Sequence, residues 1–182
     1  MRHLNIIRSI LLIISIFLIT SCSNNSAMKP EDFKNKEPRL IIEEYLTGNV
    51  KAWGVLQNRS GKVTRQFSAD LDGTWDGKQL ILKEKFNWDD GEVQNREWTI
   101  NKINENNYEG RAGDVVGKAI GYSYGPAFKF EYVLLVPVKG KAMKITFDDW
   151  IFKQDDRVAI NRATMTKFGI KVAELTVVFV KD

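Results

Sequence analysis

The sequence predicts an all-β chain folded as one antiparallel meander barrel of about eight to ten strands. Three observations carry this. From Asn49 onward, short runs of alternating apolar and polar residues recur with turn residues between most of them. Where the turns identify themselves, the apolar sets on neighbouring runs fall on one face. A meander of hairpins that closes on itself also leaves no sheet edge exposed.

The first 21 residues read as a secretory signal rather than as part of the fold. Arg2 and Arg8 form a basic start, residues 10–19 form an apolar run broken by Ser15, and Ile19-Thr20-Ser21-Cys22 follows. The run is short for a membrane span, which needs roughly 20 apolar residues. An aliphatic residue, two small residues and Cys resemble the bacterial lipobox, so cleavage is expected before Cys22, with lipid attached to its thiol. Ser23 follows where Asp would signal inner-membrane retention. The expected address is therefore the periplasmic leaflet of the outer membrane, lipid-anchored.

Cleavage limits the chemistry left. His3 is the only histidine and Cys22 the only cysteine. The mature chain then has no material for a Cys/His zinc site, a Ser-His-Asp triad or a disulfide. Losing Arg2 and Arg8 leaves 25 basic against 23 acidic side chains. That balance gives no electrostatic footprint for nucleic acid.

Residues 22–39 read as a lipidated tether and loop, and residues 40–182 as the barrel domain. Residues 40–46 suit either a strand or a short helix. The expected strands are 50–57, 63–75, 79–87, 92–103, 108–111, 115–123, 128–138, 142–152, 158–165 and 170–180.

Turn chemistry gives expected registers. A two-residue turn at Asp76-Gly77 pairs Leu71 with Leu82, Phe67 with Phe86 and Ala69 with Glu84. A three-residue loop at Asp89-Asp90-Gly91, with Gly91 left-handed, pairs Leu82 with Trp98, Phe86 with Gln94 and Glu84 with Arg96. A turn at Lys139-Gly140 pairs Leu134 with Ile145, Tyr132 with Phe147 and Phe130 with Asp149. A two-residue turn at Asp155-Asp156 pairs Asp149 with Arg162. Gly117, Gly121 and Gly125 suggest a bent strand or a flap at the barrel mouth.

Two acid–base pairs, Glu84–Arg96 and Asp149–Arg162, thus fall on the expected inner face, together with Arg65. One reading is structural: a buried pair can be nearly neutral for stability. The other is that they line a cavity. Barrels of this size can hold one ligand. Arg65, Arg96 and Arg162 would grip a carboxylate or phosphate, and Trp53, Phe67, Phe86, Trp98, Phe130 and Tyr132 would take an acyl tail. The candidate ligand-binding residues are Arg65, Glu84, Arg96, Trp98, Tyr132, Asp149 and Arg162. No catalytic residue, metal ligand or cofactor is assigned. The carboxylate pairs Asp89/Asp90 and Asp155/Asp156 suit turns, and Asp148 and Asp149, adjacent on a strand, point to opposite faces.

Several motifs resemble a known family. Glu44-Tyr45, Lys51-Ala52-Trp53-Gly54, Gly73-Thr74-Trp75-Asp76-Gly77, Asp114-Val115-Val116-Gly117, Asp148-Asp149-Trp150 and the run from Asn161 through Arg162 to Gly169 are similar to a domain-of-unknown-function family of Gram-negative lipoproteins. The resemblance runs from about Met28 to the C-terminus. It implies a lipocalin-like barrel and supplies no catalytic residues. Lipocalins carry Gly-x-Trp on the first strand, whereas Gly73-Thr74-Trp75 comes later here. The expected function is binding of a lipid-like or amphipathic small molecule, such as a fatty acid or phospholipid, in the barrel. The alternative is a structural or assembly lipoprotein with a filled core that acts through protein contacts.

Overall fold

The computed structural model describes residues 27–138 and 140–182; the signal segment and Cys22 lie outside them. Ten strands form a closed barrel: β1 (Gly48–Asn58), β2 (Val63–Trp75), β3 (Gln79–Trp88), β4 (Val93–Lys102), β5 (Asn107–Arg111), β6 (Ala119–Tyr124), β7 (Ala127–Val138), β8 (Lys141–Lys153), β9 (Val158–Lys167) and β10 (Ile170–Lys181). Each pairs antiparallel with the next, and β1 closes on β10. The architecture is the closed antiparallel meander that the alternating pattern predicts.

Two hairpins take the expected register. Across β3 and β4, Leu82 faces Trp98, Glu84 faces Arg96 and Phe86 faces Gln94. Gly91 at φ +86° supplies the left-handed residue of the three-residue loop. Across β7 and β8, Leu134 faces Ile145, Tyr132 faces Phe147 and Phe130 faces Asp149.

Two others differ, with different consequences. Between β2 and β3, Asp76 N–H donates to Gln79 O at 3.2 Å, so Gly77-Lys78 is the turn and Asp76 is already paired. The Asp76 carboxylate accepts from the backbone of Lys78 and Gln79, which fixes the turn one residue later than Asp-Gly suggests. Pairing moves by two: Leu71 faces Glu84, Ala69 faces Phe86 and Phe67 faces Trp88. An even shift leaves every side chain on its expected face. Between β8 and β9 the loop has three residues, because Asp155 caps the N–H groups of Arg157 and Val158 and Gln154 N–H donates to Val158 O. That odd shift turns β9 over. Asp149 faces Ala163, and Arg162 faces Trp150 on the outer surface, with its guanidinium 3.2 Å from Glu174. Arg162 is not an interior residue.

Trp53 also points outward, 51% exposed, because Val50 and Ala52 share the inward parity of β1. The expected strand 115–123 is split. β6 begins at Ala119, while Val115 forms only a bridge to Leu134. The segment before β6 is pinned to β7 by Val116 N–H to Val133 O (2.8 Å) and Leu135 N–H to Asp114 O (2.9 Å), so it is wall rather than flap.

One end of the barrel is plugged. Residues 40–46 resolve into a single helical turn, α1 (Ile42–Tyr45). Leu40, Ile42, Tyr45 and Leu46 are buried inside that end. A Cβ on Gly73 would lie 1.9 Å from Leu46 O, so the plug requires glycine on β2. Glu43 fastens it: its carboxylate is ion-paired with Lys102 and accepts from Tyr108 Oη at 2.9 Å. Burial opposes ionisation of Glu43, but these partners outweigh it and hold its carboxyl below the usual range. Outside the wall, a 3-10 turn at Pro30–Phe33 lays Phe33 against Trp150 and Phe152, with ring centroids 6.0 and 5.5 Å apart.

Candidate functional site

Inward side chains do not fill the barrel. A cavity of about 890 Å³ runs from Ile42 and Leu46 at the plug to Trp88, Gln94 and Val136 at the open end. That lies within the few hundred to a thousand Å³ usual for small-molecule pockets. Its wall is largely aromatic. Trp98 packs against Phe130 and Tyr132 at 5.2 and 5.3 Å between centroids, and Tyr132 stacks on Phe147 at 5.0 Å. Nearer the mouth, Phe67 touches Phe86 and Trp88 at 5.3 and 4.9 Å.

A polar cluster sits midway down. Glu84 on β3 faces Arg96 on β4, with Oε2 and Nη1 3.7 Å apart. These side chains keep 12% and 16% of their surface, which borders the cavity. Arg96 makes its close contacts elsewhere: Nε and Nη2 donate to the Asp114 carboxylate at 2.8–3.2 Å. This pair has a structural reason. β5 and β6 span five and six residues, so they do not reach the mouth-side half of the wall between β4 and β7. Arg96 bridges that interval to the 112–118 segment. On the opposite wall Asp149 accepts from Tyr132 Oη at 2.8 Å and from Asn161 Nδ2. Asn161 occupies the inner place expected for Arg162.

The electrostatics follow from low dielectric and an excess of carboxylates. Burial pushes the Glu84 carboxyl up to about 7; Arg96 opposes this and Asp149 adds to it. Burial likewise raises Asp149, with Asn161 and Tyr132 pulling it back. Burial would lower Arg96, but Glu84 and Asp114 outweigh it and hold the guanidinium charged. Glu84 Oε2 is buried and accepts no hydrogen bond from the described residues.

Arg65 takes its expected face but stands at the mouth. Its guanidinium lies 4.0 Å from the Trp88 ring and 2.8 Å from both Asp90 and Glu92. Of the candidate residues, the fold therefore gathers Glu84, Arg96, Trp98, Tyr132 and Asp149, places Arg65 at the rim and Arg162 outside. Sequence reasoning missed Trp88, Asn161 and Asp114. Trp88 shares the parity of Leu82, Glu84 and Phe86, and Asn161 follows from an Asp-capped loop, so both had a signal. Asp114 begins one of the family-like motifs but lies outside any strand, so no register pointed it at Arg96. Among the described residues no group of three His, Cys, Asp or Glu side chains is placed to hold a metal ion.

Comparison with known proteins agrees with this geometry. Residues 16–181 match a family described as "Protein of unknown function (DUF3833)". No curated protein matches. Among solved structures, the S-type phycobiliprotein lyase CPES from Guillardia theta superposes with a TM-score of 0.58 at 11% identity, over 77% of this chain and 90% of that one. A protein of unknown function from the DUF3598 family of Nostoc punctiforme gives 0.59 at 15% identity, over 81% of this chain and 51% of that one. At these identities the likeness is one of fold.

Proposed function

We propose that this protein, which belongs to the DUF3833 family, binds an amphipathic, lipid-like small molecule inside its barrel. The observation that carries the reading is the aromatic cavity of about 890 Å³ with a buried polar cluster halfway along it. A filled core, the premise of the structural alternative, would leave less than roughly 300 Å³, the low end for ligand pockets. The apolar part of the ligand lies along Phe67, Phe86, Trp98 and Phe130. Its polar group meets Glu84, Asp149 and Tyr132. The two arginines on the cavity wall are each engaged by two carboxylates: Arg65 by Asp90 and Glu92, Arg96 by Glu84 and Asp114. The anionic head of a fatty acid or phospholipid would have to displace one of these. A neutral or cationic head that donates a hydrogen bond to the Glu84 carboxyl displaces no carboxylate from an arginine, so we favour that class.

The address belongs to the same proposal: a lipid anchor on Cys22 in the periplasmic leaflet of the outer membrane, supported by the Ile19–Ser23 pattern. Cys22→Ser leaves an unlipidated precursor; metabolic labelling with radioactive palmitate that still marks this variant would rule the anchor out. The cavity reading is tested by native mass spectrometry of protein taken from its own membrane, then by displacement of a bound fluorescent probe with an alkyl alcohol, amine and acid of one chain length. Release of a bound lipid, and displacement by any of the three, supports it. A bare protein that binds none of them refutes it.

A further inference from the structure

We propose that the open end of the barrel docks on an anionic phospholipid bilayer through one half of its rim. This stands independently of what the cavity holds. Three turns lie side by side on that half, because β1 neighbours both β2 and β10, and β8 lies between β9 and β7. They are the β1/β2, β9/β10 and β7/β8 turns. Arg59, Lys62, Lys141, Lys167 and Lys171 belong to them or flank them; residues 58–63, 136–143 and 165–172 contain no Asp or Glu, and the nearest acid on this half is Glu174, ion-paired with Lys171 at 2.7 Å. Four acidic groups of the mouth, Asp89, Asp90, Glu92 and Asp114, fall on the other half. The rim is thus polarised although the mature chain is nearly neutral.

The basic half also carries apolar tips. Phe168 is 93% exposed at the apex of the β9/β10 turn, and Ile170 beside it and Val138 at the end of β7 are exposed too. Phe168 adopts φ +52°, a left-handed conformation that Asn or Gly takes readily and a large aromatic residue rarely does. Folding alone gives no reason to place Phe there, since its ring buries nothing in the barrel. Lys167 Nζ lies 5.3 Å from the ring centroid. An aromatic ring projecting among lysines suits the bilayer interface: the ring enters the headgroup layer while the ammonium groups stay with anionic phosphates. Charge complementarity selects the partner, since each lysine near such a surface strengthens partitioning roughly fivefold.

The test uses the chain from Ser23 to Asp182, which keeps the tether and the whole closed barrel and leaves out the apolar run at residues 10–19 and the only native cysteine. An environment-sensitive fluorophore is attached either at Ile170→Cys on the basic rim or at Ile103→Cys, an exposed position at the plugged end. Each is titrated with vesicles of phosphatidylcholine alone or of 70:30 phosphatidylcholine and phosphatidylglycerol. The expected result is a blue shift at position 170 with the anionic vesicles only, quenching there by brominated lipid, and no shift at 103. Lys62→Gln/Lys141→Gln/Lys171→Gln should weaken that binding about a hundredfold, and Phe168→Ser should remove most of the blue shift. Equal shifts at the two positions would show binding without orientation and overturn the proposal. So would an unshifted label at 170, the same response to pure phosphatidylcholine, or a triple variant that binds as well as its parent.

Discussion

Replacing Arg96 with Met removes the cation that Glu84 and Asp114 share, and the cost should depend steeply on pH. Glu84 ionises at about 7 in the folded chain against an ordinary 4.5. Its pKa is raised, so the folded state holds the extra proton between those values. Stability therefore falls as pH rises through that window, by about 3 kcal/mol in all. Arg96 keeps the loss from being larger. Without it, an ionised Glu84 has no partner, and breaking a buried pair from one side costs roughly 3–5 kcal/mol. At pH 8 Arg96→Met should pay that in full. At pH 5 Glu84 is protonated, and Asp114, with 29% of its side chain exposed, can turn to water. The cost there should drop to about 1–2 kcal/mol, the hydrogen bonds to Asp114 alone. Glu84→Leu/Arg96→Met should recover most of the loss at pH 8. Urea unfolding followed by tryptophan fluorescence at both pH values measures all of this. A cost that is equal at pH 5 and pH 8, or a double variant no more stable than the single one, would refute the reasoning.

Other outcomes follow from the same geometry. Glu84→Gln should flatten the fall in stability between pH 5 and pH 8 and leave the variant more stable than its parent at pH 8, read by the same melts. Gly73→Ala places a methyl 1.9 Å from Leu46 O; because backbone must move, we expect at least about 3 kcal/mol of destabilisation and a plug that exchanges amide hydrogens faster over residues 40–47. Glu43→Gln should weaken the same plug. Since the Glu43 pKa is lowered, its contribution is present above about 4.5 and lost as pH falls below it, so the variant and its parent should converge in acid melts.

Much of the fold is legible because β-structure is specified locally. A period of two and a few turn residues determine which face a side chain takes. Asp89-Asp90-Gly91 sets β3 against β4, because Gly91 takes the left-handed place that closes the three-residue loop, and this brings Glu84 opposite Arg96. The β7/β8 column, with Tyr132 facing Phe147 and Asp149 beside Phe130, follows from Lys139-Gly140 in the same way. Two registers fail, at Asp76 and at Asp155. Asp76 and Asp155 both act by capping backbone N–H groups two and three residues on, so the turn begins later, or runs longer, than the dipeptide suggests. At Asp76 the shift was even and harmless; at Asp155 it was odd, and it exchanged Arg162 for Asn161 in the interior.

The tertiary structure alone decided the rest. Residues 40–46 have no periodicity long enough to choose helix over strand, and they become a helical turn because the barrel end needs a plug and Lys102 and Tyr108 wait there for Glu43. Asp114 is drawn to Arg96 because β5 and β6 are too short to close the wall between β4 and β7, a shortfall that appears only when ten strands are assembled. The sequence by itself determined the alternation, the order of the hairpins and the inward face of Glu84, Arg96 and Asp149. Whether those side chains fill the barrel depends on its circumference, which is set by all ten strands together, and so the cavity of about 890 Å³ and the neutralised arginines within it belong to the assembled structure.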